Sequence, residues 1–325
     1  MNRTLPLAAV VLLAWLSNPA PAQWFAPTKS LSVKELGLGM PKKPETPFEP
    51  GWSVEAGAVF LHRSGSSSMV LANTDVPAEG DTLNAADLGF GFQWGPYVSL
   101  STRVFNLVKA EVLYFGVYDW RAAASVENDA GIANGVFDAG PVAFDRIDVR
   151  YTSRIDNVEI NTLYPLLGKL EWLVGFRWVG LDDRTTTLWD GRSSGTDFAA
   201  ADAWANNDLY GAQIGIDGTL WKPFSRLYLD GVVKVCLFTN SMSTGRNVDG
   251  TMDAFLPNTR NVTRTSFLGE LGLMAKLELT QHFLLGAGYQ VIWIDGVATG
   301  FSALGGGEVS SVLVHGLQAT LEVRW

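Results

Sequence analysis

The chain is poor in several things, and each shortage excludes something. Among 325 residues there is one cysteine, Cys236. No intramolecular disulfide is possible, and a lone thiol inside an apolar stretch reads as buried and inert. There are three histidines, His62, His282 and His315, too few and too scattered for a metal motif. Charged residues make up 18% and form no Lys/Arg cluster, while the net charge is −9. Nucleic acid is therefore excluded as the expected partner. No run of 18 uncharged apolar residues follows the N-terminus, so no membrane-spanning helix is expected.

What is present is alternation. Apolar residues make up 47%, yet they are interrupted every second position by glycine or a polar group. The last stretch is the clearest case. Leu313, Leu317, Ala319, Leu321, Val323 and Trp325 alternate with Gly316, Gln318, Thr320, Glu322 and Arg324. Period-2 alternation is a strand with one apolar face. A terminal strand of this kind, with Leu321, Val323 and the final Trp325, resembles the assembly signal of bacterial outer-membrane barrels.

The first residues are expected to lie outside the fold. Arg3, the apolar run Leu5–Leu16 and the Ala20-Pro21-Ala22 site form a signal-peptide pattern, so residues 1–22 read as an export signal. Residues 23–50 hold five prolines among lysines and read as an extended periplasmic linker. Residues 51–325 then make one domain.

Ten strands can be read in that domain. The first starts at Trp52. The second is placed at 86–101, with Leu88, Phe90, Phe92, Trp94, Val98 and Leu100 on one face and a bulge expected at Gly95-Pro96. The third carries Val108 to Trp120 on one face. The fourth spans Ile147 to Tyr164, and a bulge near Asp156-Asn157 is expected to explain its change of phase. The fifth to tenth centre on Leu170–Trp178, Tyr210–Leu220, Leu227–Leu237, Phe267–Leu279, Phe283–Trp293 and the terminal strand. Twelve strands are the alternative if a long loop holds another hairpin.

Two regularities point to a closed antiparallel up-and-down transmembrane β-barrel. The apolar faces are free of charge over their central spans, where a charge facing lipid would cost about 2–4 kcal/mol. Short connections near residues 103–107, 165–169, 222–225 and 281 alternate with long ones near 63–85, 121–146, 183–207, 241–264 and 297–309. Short periplasmic turns and long external loops are the barrel pattern.

Three short motifs carry a family resemblance. They are Asn157-Val158-Glu159-Ile160-Asn161, Gly175-Phe176-Arg177-Trp178, and Asn207-Asp208-Leu209-Tyr210-Gly211-Ala212-Gln213-Ile214-Gly215. With a strand ending at Asn240, their order resembles the planctomycetal beta-barrel porins, the seventh of the numbered beta-barrel porin families. The likeness covers residues 52–325. It implies a barrel and no particular substrate, and the loops here are less glycine-rich than the family's.

The chemistry-bearing candidates are the charges on the polar faces: Glu111, Glu159, Glu171, Arg177, Asp217, Asp230, Lys234, Glu270, Lys276, Glu278, Glu322 and Arg324. In this register they line the lumen, and acidic groups predominate. The expected function is a narrow, porin-like passive channel for ions or small solutes, preferring cations. The alternative is a non-conducting barrel that binds surface partners, or serves a structural role, through long acidic loops. A barrel enzyme ranks last. Gly191-Arg192-Ser193-Ser194-Gly195 matches a hydrolase elbow but lacks the strand–turn–helix setting. His62 and His315 become neighbours if the barrel closes, without a third ligand at motif spacing. No catalytic residue, cofactor or metal is assigned. The expected partners are outer-membrane lipid and the barrel-assembly machinery.

Overall fold

A computed structural model describes residues 51–64, 70–72, 83–85, 88–104, 108–132, 144–191, 197–250, 258–305 and 309–325. The expected signal and linker, residues 1–50, and residues 192–196 with Ser193 lie outside the described residues.

The strands are β1 (Trp52–Arg63), β2 (Val70–Ala72), β3 (Leu83–Asn84), β4 (Gln93–Val104), β5 (Val108–Ile132), β6 (Phe144–Leu167), β7 (Leu170–Gly191), β8 (Asp197–Phe224), β9 (Leu227–Gly250), β10 (Asn258–Glu278), β11 (Phe283–Val297) and β12 (Ser310–Arg324). One short helix, α1, spans Gly300–Leu304. Ten strands, β1 and β4 to β12, pair with their neighbours in antiparallel order, and β1 pairs with both β4 and β12. The sheet therefore closes, which leaves no free edge. β2 and β3 form a separate two-stranded sheet. The fold is the expected ten-strand up-and-down barrel.

Closure is completed at the C-terminus. The Gly51 and Trp52 amides donate to the Trp325 carbonyl at 2.9 and 3.0 Å, and the Trp325 amide donates to the Trp52 carbonyl at 3.1 Å. The tight turns lie at this same end. Gly168, with φ 62°, turns β6 into β7 in a backbone region that glycine enters at no steric penalty. Between β10 and β11, Thr280 Oγ1 accepts the His282 and Phe283 amides.

A belt of apolar side chains surrounds the barrel. Trp172, Val174 and Phe176 on β7, Tyr210 and Ile214 on β8, and Val233, Val235 and Leu237 on β9 all point outward and are exposed. Trp52, Trp325, Trp221, Phe224 and Phe283 ring the turn end, and Phe60, Trp94, Tyr118 and Tyr210 lie toward the opposite end. Apolar band and aromatic girdles are what a lipid environment selects. The barrel spans a membrane.

Beyond that belt the pattern inverts. The expected bulge in the fourth strand is not there: β6 keeps an unbroken register with β7 through Ile155, Asp156, Asn157 and Val158. Val158 and Ile160 face outward, whereas Ile147, Val149, Tyr151 and Ile155 face inward and are buried. The apolar residues change face because their surroundings change from lipid to water. β7 and β8 do the same, with Val179 and Leu181, and Ala201, Ala203 and Ala205, buried inside. Outside at this level are the ion pairs Arg154–Asp182 and Arg184–Asp202. Much of the expected long loops at 121–146, 183–207 and 241–264 is thus strand, rising above the belt.

Three further expectations are corrected. Trp120 faces inward, because the β5–β6 register shifts between Val117 and Trp120, and its Nε1 donates to the Leu61 carbonyl at 2.9 Å. Leu88 and Phe90 precede β4 and are buried, so they do not share a face with exposed Phe92 and Trp94. No bulge marks Gly95-Pro96 in the β1–β4 ladder. Pro96 is tolerated because the β4–β5 ladder begins one residue later, at Tyr97.

Candidate functional site

The inward side chains divide the lumen into three levels. At the turn end is a polar cavity of about 480 Å³. Ten of the twelve expected lumen charges line it: Glu111, Glu159, Glu171, Asp217, Asp230, Lys234, Glu270, Lys276, Glu322 and Arg324. Lys276 gathers three carboxylates, Glu322 at 3.2 Å, Glu55 at 3.4 Å and Asp230 at 3.9 Å. Arg324 Nε donates to Glu322 at 2.6 Å, and Thr219 donates to Asp230 at 2.8 Å. Glu278 accepts from the Tyr228 hydroxyl at 2.5 Å. Glu171 stands directly opposite Asp217 across the β7–β8 ladder.

Above this vestibule the lumen is crossed by a ring of four charges. Arg177 Nη1 lies 2.6 Å from Glu270 and 3.5 Å from Glu159. Lys234 Nζ lies 2.9 Å from Glu159 and 3.1 Å from Glu270. Each acid meets both bases, so the set is electroneutral. Amides complete it. Arg177 Nε donates to Asn157 Oδ1 at 2.6 Å, and Glu159 accepts from Gln213 at 2.8 Å, Asn161 at 3.2 Å and Asn157 at 3.3 Å. Cys236, buried as expected, points its Sγ at Gln213 Oε1. Arg177, Glu159, Lys234 and Glu270 are only 0, 1, 5 and 6% exposed. Gly175 makes room for this layer, since a Cβ there would sit 2.1 Å from Asn161 Oδ1.

The third level is packed. The β11–β12 connection folds into the lumen and is held by inward polar side chains. Asn207 donates to the Ala298 carbonyl at 2.8 Å and accepts its amide at 2.8 Å. Ser266 donates to the Gly296 carbonyl at 2.7 Å, and Arg246 to that of Leu304 at 2.9 Å. α1, started by a Thr299–Ser302 capping box, is wholly buried, and Phe301 meets the Tyr151 ring edge-to-face at 4.6 Å. Beside it, Arg63 reaches Asp183 at 2.8 Å and lies over the Phe90 and Tyr151 rings. Tyr151 donates to the same carboxylate at 2.5 Å.

The sequence pattern places neither Arg63 nor Asp183 inside; Glu55, on the polar face of the first strand with Ser53, is absent from the expected lumen charges, and it shares the inward row of β1 with Val59, Leu61 and Arg63. That row was readable, because Glu55 lies opposite Trp52 and Val54 in the alternation. His62 and His315 do meet, as directly opposed residues of β1 and β12 with ring centroids 5.1 Å apart. They face outward beside Phe92, and Tyr289 bonds His315 Nδ1 at 2.6 Å. Among the described residues no group of three His, Cys, Asp or Glu side chains is placed to hold a metal ion.

Neither a family model nor a curated protein matches the chain. Solved structures resemble it in shape. The outer membrane protease OmpT from Escherichia coli aligns over 84% of this chain and 96% of its own, with a TM-score of 0.48 and 6% identity. The translocator domain of the autotransporter NalP from Neisseria meningitidis aligns over 86% and 90%, with a TM-score of 0.40 and 10% identity. The P. putida toluene transporter TodX aligns over 86% and 91%, with a TM-score of 0.36 and 9% identity.

Proposed function

We propose that the protein is an outer-membrane barrel whose lumen is closed to free diffusion at rest, and that it works as a binding or structural protein. The observation that carries this reading is the buried Arg177–Glu270–Lys234–Glu159 ring beneath a packed upper level. A ten-strand barrel is close to the size at which side chains fill the interior. The vestibule below the ring opens toward the tight turns, the periplasmic side in this reading. The tall outer wall formed by β5 to β10, with its exposed ion pairs, is the surface offered to partners outside. Outer-membrane lipid and the barrel-assembly machinery are the partners this placement requires.

A second reading, the narrow cation-preferring channel, is favoured by the vestibule's own charge. Eight acidic and six basic side chains line it, and such a wall enriches cations. For this reading the ring and the upper level must separate. Potassium flux from proteoliposomes distinguishes the two. A flux no greater than that of protein-free vesicles supports the closed barrel; rapid, protein-dependent release supports the channel.

A further inference from the structure

The seam that closes the barrel carries a pair of imidazoles that a filled lumen leaves unused. His62 on β1 and His315 on β12 are directly opposed across the ladder, with ring centroids 5.1 Å apart. Both rings face outward and are half-buried. His62 is the next outward residue after Phe60, which stands opposite Trp94 of the aromatic girdle, and His315 is the next after Leu317. The pair therefore sits at the edge of the apolar belt away from the tight turns, at the interface between membrane and water.

The surroundings leave the pair with nitrogens to offer. Tyr289 bonds His315 at Nδ1, 2.6 Å away, so Nε2 of that ring is the open one. His62 Nδ1 is shielded from solvent and has no hydrogen-bond partner. Phe92 backs the pair, 5.4 Å from the His62 ring and edge-on to His315 at 6.2 Å. Among the described residues no third His, Cys, Asp or Glu joins the two rings. An ion held there would keep water in its remaining positions.

The geometry discriminates between ligands. An anion needs charged imidazoles, but an imidazole with no carboxylate partner is mostly neutral at pH 7, and two cationic rings at this distance repel. Calcium and magnesium prefer oxygen ligands. Neutral imidazole suits a transition metal. Two imidazole nitrogens, each about 2.0–2.1 Å from one tetrahedral ion, put their ring centres roughly 5 Å apart, which is the separation between His62 and His315. We infer that these two residues form a two-histidine site for a divalent transition-metal ion of the zinc kind, and that the bound ion ties β1 to β12 at the seam. The two rings meet only when the barrel has closed, so the ion binds the folded protein and stabilises it by mass action. The site lies on the outer face and stands whether or not the lumen conducts.

The test is calorimetric titration of zinc into the folded, untagged protein in detergent micelles, in a buffer that does not chelate metals and with magnesium as control. Saturable 1:1 binding of zinc is expected, at least tenfold tighter than magnesium. His62→Gln and His315→Gln should each weaken it at least tenfold. His282→Gln, at the turn end of the barrel, should leave it unchanged. Heat-modifiable gel migration checks that each variant has folded, and if one of the seam variants fails to fold the other carries the comparison. A second measurement needs no variant: zinc, and not magnesium, should raise the thermal unfolding midpoint of the parent protein in lipid vesicles. Absence of 1:1 zinc binding, zinc affinity unchanged in a folded His62→Gln or His315→Gln variant, or a midpoint indifferent to zinc overturns the inference.

Discussion

Arg177 Nη1 lies 2.6 Å from Glu270 Oε2, although 93 residues separate them and they stand on β7 and β10. Both are buried inside a membrane barrel. Charges removed from water stabilise a fold only when paired and fully hydrogen-bonded. Here the second base, Lys234, and the second acid, Glu159, close the set, and Asn157, Asn161 and Gln213 saturate its edges.

Removing one member should therefore be severe. Arg177→Met leaves two buried carboxylates to a single lysine, and a loss on the order of 3–5 kcal/mol is expected. Arg324→Met, at the 29%-exposed rim site, should lose less than about 1 kcal/mol. Urea unfolding in lipid vesicles measures both. Equal losses would mean that the ring does not hold the barrel.

Direction of the side chain should decide the effect of a new charge. Val174 faces lipid and is 49% exposed, so Val174→Arg is expected to lose about 2–4 kcal/mol. Ser53 faces the polar vestibule and is half-buried, so an added guanidinium there meets a polar wall with carboxylates rather than lipid. Ser53→Arg should fold with about 1 kcal/mol lost or less. The same unfolding assay would show a reversed order if the register were wrong.

Above the belt the roles of inside and outside exchange. Leu181 is wholly buried there, and Leu181→Ala should lose roughly 2–5 kcal/mol. Its neighbour Asp182 pairs with Arg154 on the outer wall, and Asp182→Ala should lose less than about 1 kcal/mol. Thermal melts of the two variants test the inversion. A mild effect at Leu181 would contradict a packed upper level.

Deleting Trp325 removes the carbonyl that both Gly51 and Trp52 use and the amide that Trp52 accepts. The β1–β12 seam then ends one residue short at the turn end. Reduced heat-modifiable barrel in membranes is the expected outcome. Wild-type levels of folded protein would show that closure does not depend on this residue.

The belt was readable in the sequence because lipid imposes one rule on every strand. Trp172, Val174, Phe176 and Trp178 could only be an outward row. The upper level was not, because the same alternation there means the opposite. Ile147 to Ile155 and Val158 to Tyr164 look like a strand with a slipped phase, and only the surroundings reveal a strand that keeps its register and changes medium. Trp120 was misplaced because a register shift is silent in the alternation. The lumen charges could be listed from β-strand parity, but not their partners. Arg63 finds Asp183 across 120 residues, and Arg177 finds Glu270, only when the ring has closed.

Single-channel recording tests the closed lumen most directly. Purified, folded protein is inserted in planar bilayers under a KCl gradient, with insertion verified by protease protection of the reconstituted barrel. The ring and packed level predict no unitary conductance across the ordinary voltage range. A steady conductance of defined size from the wild-type protein would contradict the account, and a reversal potential favouring potassium would then assign the barrel to the narrow cation channel.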